Sequence, residues 1–567
     1  MGNHSLLFYM SKKLKVLFCG EASFLKTGYA SYYRELIKRL NNNPSLYIAE
    51  LACYGSINDS RDTNINWRYY ANAVPPNDPR FSQYMSSTDN SFGRWRFEKV
   101  LIDFKPDVVI DIRDYWMNQY QAFSPLREYF NWTVMPTIDS APQQDLWMST
   151  YLTADAIFTY SDWARDIINQ QTSNKIKYID TTSPGVDTDI FCMKNQQACR
   201  SSLLIPNDSI IIGSVMRNQK RKLIPELIQS VRKVIDSYES SGKTNKKIFL
   251  YLHTSYPDYM CWEIPKLLKE NRMLNRTLFT YHCKDCKKVF SDVYSGPARQ
   301  CVNCNSANAV LPSASDGVSD EDLATVYNCF DMYVQYSICE GFGVPQIEAG
   351  ACGVPVATVN YSAMEDLVNK IDAYPIKIGT RFKEMETQAI RVYPDNDDLI
   401  NIIEKYLNLP DPIKVQKKIK TRKLTEQHFN WENIVKKWEK YFDALIQSNS
   451  FGKWDTITKA KLIPSINKDI IFSDKIPNIE KLSYISNIIK HPAFSMNSTF
   501  MLDILDRLDN GFYFENQKAK QFTWNDALII FDSIISNNNI CVEVLVNKNP
   551  IEEDFISYAN IKDPNIQ

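Results

Sequence analysis

Short apolar runs rich in β-branched and aromatic residues recur along this chain, and most lead through a polar loop into a stretch of helical periodicity. In the first half the runs are Lys15–Gly20, Asp107–Ile112, Trp132–Ile138 and Ala154–Ser161, with helices predicted over Tyr29–Leu40 and from Asp162. In the second half they are Ser209–Val215, Ile248–Thr254, Thr277–His282 and Asp331–Tyr336. Pro225 opens a long helix, Val318–Ala324 has the form of a capped helix start, and Pro345 begins a helix that stops at Gly353. Strands alternating with helices predict an α/β fold with parallel sheets. In such sheets ligands sit beyond the carboxyl ends of strands, so the loops Arg113–Trp116 and Asp139–Pro142 are site candidates. A turn-rich break over Thr182–Phe191 divides the chain, and an amphipathic helix runs from Trp431 to Ile446. Residues 449–567 alternate polar, Asn-rich stretches with helical periodicity, as at Thr499–Leu508 and Trp524–Ile535, and predict a helical extension of unknown role.

At 567 residues the chain exceeds what one core supports, so two or three domains are expected. A hydrophobic content of 44% and a charged content of 23% belong to an ordinary globular protein. Lys+Arg 65 against Asp+Glu 66 excludes a bulk basic bias toward nucleic acid, though not a local basic groove. No apolar run is long enough to span a bilayer, and Met1–Ser5 lacks a secretory pattern, so a cytoplasmic location is expected, host cytoplasm for a viral protein. Thirteen cysteines, mostly scattered, fit a reducing compartment.

Candidate chemistry concentrates at three places. The first is Ser337–Val356, a strand exit, a glycine loop and a helix start. Gly341, Phe342, Gly343 and Val344 would aim backbone N–H groups at an anion, with Glu340 and Glu348 flanking as acceptors for sugar or ribose hydroxyls. A second such turn ends at Gly28, where a purely structural turn is the competing reading. Next come the cations after Val215, in Met216-Arg217-Asn218-Gln219-Lys220-Arg221-Lys222, placed to clamp a diphosphate or, as a bare charge run, simply solvated. The third is the pair of knuckles Cys283-x2-Cys286 and Cys301-x2-Cys304, which reads as a zinc ribbon over 282–306. Four thiolates leave no open coordination position, so a structural zinc is expected. Inserted after a strand, the ribbon should overhang the cleft, for acceptor recognition, partner docking or as a stabilising clip.

The Glu340-x7-Glu348 pattern resembles the signature of retaining family 4 glycosyltransferases of the GT-B fold, which have two Rossmann-like domains facing a cleft. The segment Pro184-Gly185-Val186-Asp187 is similar to the family's interdomain linker, and Arg217 and Lys222 to its Arg-x4-Lys diphosphate clamp. The resemblance covers about residues 14–447. It implies a first domain over 12–190 on the acceptor side, a nucleotide-sugar domain over 191–428, and a helix over 429–447 crossing back. It further implies that Glu340 contacts the donor sugar and Glu348 the ribose of a UDP- or GDP-linked donor, that Gly28 faces the donor, and that no divalent metal enters the chemistry. Lys220 and Arg221 have no counterpart, and Asp139 stands where the family has a histidine. Asp139 either handles an acceptor hydroxyl or caps the next helix. The acceptor implied is a saccharide or glycoconjugate. A phage-type transferase acting on a hydroxymethylated DNA base is an alternative, with Trp95, Phe97, Trp116 and Tyr120 as base-contacting or core aromatics. A second alternative is an inert scaffold that acts as a zinc-ribbon interaction protein.

Overall fold

The computed structural model describes residues 13–450, apart from 26, 55–64, 125, 243–244, 259 and 314–315, and beyond them Trp454, Lys475 and one hairpin. The fold is GT-B, built on two mainly parallel sheets. The first contains β1 (Leu14–Glu21), β2 (Leu46–Tyr54), β3 (Arg68–Ala71), β4 (Val108–Asp111), β5 (Asn131–Val134), β6 (Ala156–Thr159) and β7 (Ile179–Thr181). All are parallel, in the order β3-β2-β1-β4-β5-β6-β7. Helices cover both faces, which is why β4, β5 and β6 are buried at every position. β2 escaped that reading because Glu50 interrupts it. That carboxylate is fully buried and accepts hydrogen bonds from Ser23 N and Oγ, each 2.9 Å, and from Trp67 Nε1 at 2.6 Å.

The second sheet contains β8 (Ser209–Val215), β9 (Lys247–His253), β10 (Thr277–Cys283), β11 (Val289–Val293), β12 (Ala298–Arg299), β13 (Ala309–Val310), β14 (Met332–Gln335), β15 (Val356–Val359) and β16 (Tyr374–Ile376). Its parallel part runs β10-β9-β8-β14-β15-β16, and β11, β12 and β13 extend it as antiparallel strands beside β10. The cysteine-bearing insertion is therefore an extension of the sheet edge. A further hairpin pairs β17 (Ile378–Lys383) with β18 (Ile390–Pro394).

Helix Trp431–Gln447, capped by Asn430, ties the second half to the first. Trp438 is fully buried, its ring 4.0 Å from Phe158 and its Nε1 3.2 Å from the Tyr32 hydroxyl. Tyr441 shares a 2.8 Å hydrogen bond with Thr133, and Val186 N donates to Phe429 O at 2.8 Å. Gly185 sits where any Cβ would collide with the Trp431 indole. The helices expected over Thr499–Leu508 and Trp524–Ile535 lie outside the described residues. Within the extension the structure describes a hairpin of β19 (Phe512–Glu515) and β20 (Lys518–Gln521). No helix among the described residues is long and apolar enough to cross a membrane.

Candidate functional site

The site is assembled at the carboxyl ends of β8 and β14. Chain segment 221–223 runs beside 336–338, with Leu223 N donating to Tyr336 O at 3.1 Å and Ile338 N to Arg221 O at 3.0 Å. That pairing brings two cations onto one carboxylate. Glu340 is buried and takes ion pairs from Lys222 Nζ and, at 2.7 Å, from Arg221, and Gln335 Nε2 donates to it at 2.8 Å. Burial opposes its charge, but Arg221 and Lys222 outweigh that and hold the carboxyl down to about 2. Lys222 moves the same way, lowered to about 8, because burial and the adjacent Arg221 outweigh its attraction to Glu340. Two cations share one carboxylate, leaving one positive charge over, at the mouth of helix Val344–Ala351 whose first N–H groups lack intrahelical partners.

The sequence pattern and the structure differ in which cations reach Glu340. Arg217 lies half-exposed on Asp258, at 3.1 and 3.3 Å, away from Glu340. Arg221, which has no counterpart in the resemblance, reaches Glu340 instead, with its side chain 40% exposed. Nothing in a run of four cations in six residues tells which ones turn inward; the register against 336–338 does.

Gly341 meets the first half of the chain: a Cβ there would collide with the Thr137 methyl. Gly343 begins the helix with φ +95 and lies under the Gln346 side chain, so only glycine suits it without strain. Phe342 is buried against Phe429, and Val344 is partly buried at the helix start. Glu348 accepts from the Tyr327 hydroxyl at 2.7 Å, and burial raises its carboxyl to about 7.

On the facing side, Gly28 opens helix Gly28–Leu40 behind the Thr27 cap, and a Cβ there would meet nothing within 4 Å. The Tyr29 hydroxyl bonds Asp114 at 2.7 Å and Thr137 at 2.5 Å. Burial raises the carboxyls of Glu21 and Asp114. Asp139 caps no helix, since the next one, Asp145–Tyr151, opens six residues later behind Gln144. It pairs with Arg391 of β18 at 2.7 Å. Arg391 is a residue that no sequence pattern marked.

The other loop candidate, Arg113, is fully buried against Asp111 and serves the core. Phe97 is also core, Tyr120 donates to Phe92 O at 3.0 Å, and Trp95 packs edge-on against Tyr84; of these four aromatics only Trp116 is exposed.

Cys283, Cys286, Cys301 and Cys304 bring their sulfurs within 4.8 Å of one another. Cys283–Cys304 and Cys286–Cys301 are 3.6 and 3.7 Å apart, which matches the roughly 3.7 Å edge of a tetrahedron with Zn–S bonds of about 2.3 Å. The two knuckles repeat one geometry. Lys287 N returns to Cys283 O at 3.0 Å and Asn305 N to Cys301 O at 2.9 Å, with φ of 58 and 61 at Lys287 and Asn305. His282 points its Nε2 toward Asp316, 3.9 Å away, and is not part of the cysteine cluster.

Residues 315–423 match the family described as glycosyl transferases group 1. Over 149 residues the chain is 26% identical to serotype-specific mannosyltransferase WbdA of Escherichia coli, spanning 26% of this chain and 16% of that protein. It is 43% identical over 51 residues to the O-antigen chain mannosyltransferase B of Escherichia coli, 9% of this chain and 13% of that one. Sucrose-phosphate synthase from Thermosynechococcus elongatus superposes with a TM-score of 0.55 at 17% identity, over 77% of this chain and 100% of that chain. A glycosyltransferase from Rickettsia africae gives 0.53 at 12%, over 77% and 99%. Anabaena HepE in complex with UDP-glucose gives 0.53 at 12%, over 76% and 100%. The solved structures establish the fold, and the sequence matches support sugar transfer: this is a GT-B chain whose residues 315–423 carry a group 1 glycosyl transferase match.

Proposed function

We propose that this chain is a retaining, metal-independent glycosyltransferase of family 4 type, moving a sugar from a UDP- or GDP-linked donor to a saccharide or glycoconjugate hydroxyl. The observation that carries this is the Arg221–Lys222–Glu340 cluster at the start of helix Val344–Ala351, opposite Thr137 and Asp139. Lys222, Arg221 and the N–H groups of the glycine loop stabilise the charge that develops on the departing diphosphate, which is the largest electrostatic demand of the reaction. Arg217 joins them on leaving Asp258. Glu340, buried and doubly ion-paired, is a poor nucleophile, which favours acceptor attack from the leaving-group side over a glycosyl-enzyme intermediate. It orients the donor sugar, and Glu348 the ribose.

Carboxylates of Glu21, Asp114 and Asp139 on the opposite face accept hydrogen bonds from hydroxyls and repel polyanions. With Phe97 in the core and Tyr120 packed against it, that face favours a saccharide over DNA. The four cysteines hold one zinc in a closed, structural site. The domain division at 190 and 191, with 429–447 crossing back, belongs to the same reading.

Thermal stabilisation by a panel of UDP-, GDP- and ADP-sugars tests it. One nucleotide class should raise the melting temperature, and Glu340→Gln should slow nucleotide release from that donor. Absence of stabilisation by every donor at millimolar concentration overturns the reading.

A further inference from the structure

We infer that Arg391 is a positioning residue: it clasps the two domains across the cleft and aims Asp139 at the acceptor, so the β17–β18 hairpin shapes the acceptor side of the site. The inference rests on the transferase reading for its effect on rate, and on geometry alone for the clasp.

Arg391 is almost fully buried, and every nitrogen of its fork has a partner. Nη1 lies 2.7 Å from Asp139 Oδ1 and 2.7 Å from Cys339 Sγ, the residue before Glu340. Nε and Nη2 reach Glu384 Oε2 at 3.0 and 2.8 Å, and Thr387 holds Glu384 at 2.6 Å. One guanidinium thus joins a carboxylate of each domain to the donor loop. A planar fork fixes the direction of a carboxylate as a lysine ammonium cannot. Asp139 takes further hydrogen bonds from Ser140 Oγ at 3.0 Å and Cys339 Sγ at 3.4 Å, and its side chain stays 29% exposed. An aspartate so held is no loose surface base. It presents its remaining lone pairs in one direction, as an orienting acceptor for a hydroxyl.

The backbone makes the same junction. Ile390 N donates to Ala141 O at 2.8 Å in an isolated bridge, and Gln144 Nε2 reaches Glu386 O at 3.3 Å. The hairpin therefore docks along residues 139–144, with Arg391 at the point where the docking meets the donor loop. A second fastening lies apart from it, where Asp366 accepts from Asp162 N at 2.6 Å and Trp163 N at 3.2 Å. Loss of Arg391 should free one edge of the cleft while that contact and the crossing helix keep the chain folded.

The test uses the full chain with Arg391→Ala, Arg391→Lys, Asp139→Asn and the Arg391→Ala/Asp139→Asn pair. Small-angle scattering reads the clasp without any ligand: Arg391→Ala should widen the interdomain distance distribution, and a profile identical to wild type overturns the clasp. Calorimetry with UDP and GDP should find nucleotide affinity within about twofold of wild type, while nucleotide release from the donor falls about 100-fold, as expected when a reacting group loses its alignment. Arg391→Lys should recover part of the rate. The double variant should be no slower than Arg391→Ala, and additive losses refute coupling between the two residues. If Arg391→Ala fails to fold, Glu384→Gln with Arg391→Lys carries the same comparison. Failure of wild type to bind either nucleotide counts against the transferase reading and leaves the scattering result to decide the clasp.

Discussion

Raising the pH from 7 to 9 should weaken nucleotide binding about tenfold, through one lysine. Lys222 is lowered from 10.5 to about 8 because it is buried beside Arg221. A diphosphate placed on it restores the charged form, so binding above pH 8 takes up a proton. At pH 9 neutral Lys222 predominates in the unliganded protein, and one unit of pH above its pKa costs about tenfold in affinity. Arg221 stays charged throughout and adds no slope. The two shifts act against each other in stability. Arg221 and Lys222 depress Glu340, which stabilises the fold above pH 4.5, a contribution lost as pH drops toward 2. Burial depresses Lys222, which opposes folding below pH 8 and is relieved as pH climbs to 10.5. At neutral pH the two oppose each other, as in buried pairs generally, and a bound diphosphate would relieve the lysine's share. Calorimetric titration with UDP and GDP at pH 7, 8 and 9, in buffers of different ionisation enthalpy, reads both the affinity and the proton count. A dissociation constant unchanged between pH 7 and 9, or the same slope in Lys222→Met, refutes the reasoning.

Glu348, raised from 4.5 to about 7 by burial, keeps a proton when folded that it loses when unfolded, so its contribution to stability declines as pH rises from 4.5 to 7. Glu348→Gln should therefore be more stable than wild type at pH 8, by about 2–3 kcal/mol, while losing nucleotide affinity; an unchanged melting curve argues against the raised carboxyl. Gly341→Ala should lower nucleotide release by driving a methyl into Thr137, and Thr137→Ser, which removes that methyl, should restore most of it. Chelation, or Cys301→Ser, should release one zinc per chain and lower the melting temperature; a protein that contains no zinc by elemental analysis removes the ribbon's metal from the account.

The strand–loop–helix frame was readable because parallel strands buried on both faces leave short runs dominated by β-branched and aromatic residues, as in β6 and β14. The cysteine knuckles were readable because metal geometry restricts their spacing, and 3.6 Å between Cys283 and Cys304 agrees with it. Three features were not. β2 hides behind Glu50, whose burial is compensated by partners far from it in sequence. Arg221 and Arg217 look alike in a charge run, and only the register of 221–223 against 336–338 carries Arg221 onto Glu340. Arg391 belongs to no motif: its partners Asp139 and Glu384 come from separate elements, and only the docked hairpin unites them.

The central claim is that Lys222 and Arg221 draw charge off a departing nucleotide. Its most direct measurement is the rate of UDP or GDP release from the donor that stabilises the protein, for wild type and for Lys222→Met at pH 7. The account predicts slow but measurable release by wild type and a loss of about 100-fold or more in the variant. Equal rates in the two proteins would contradict it.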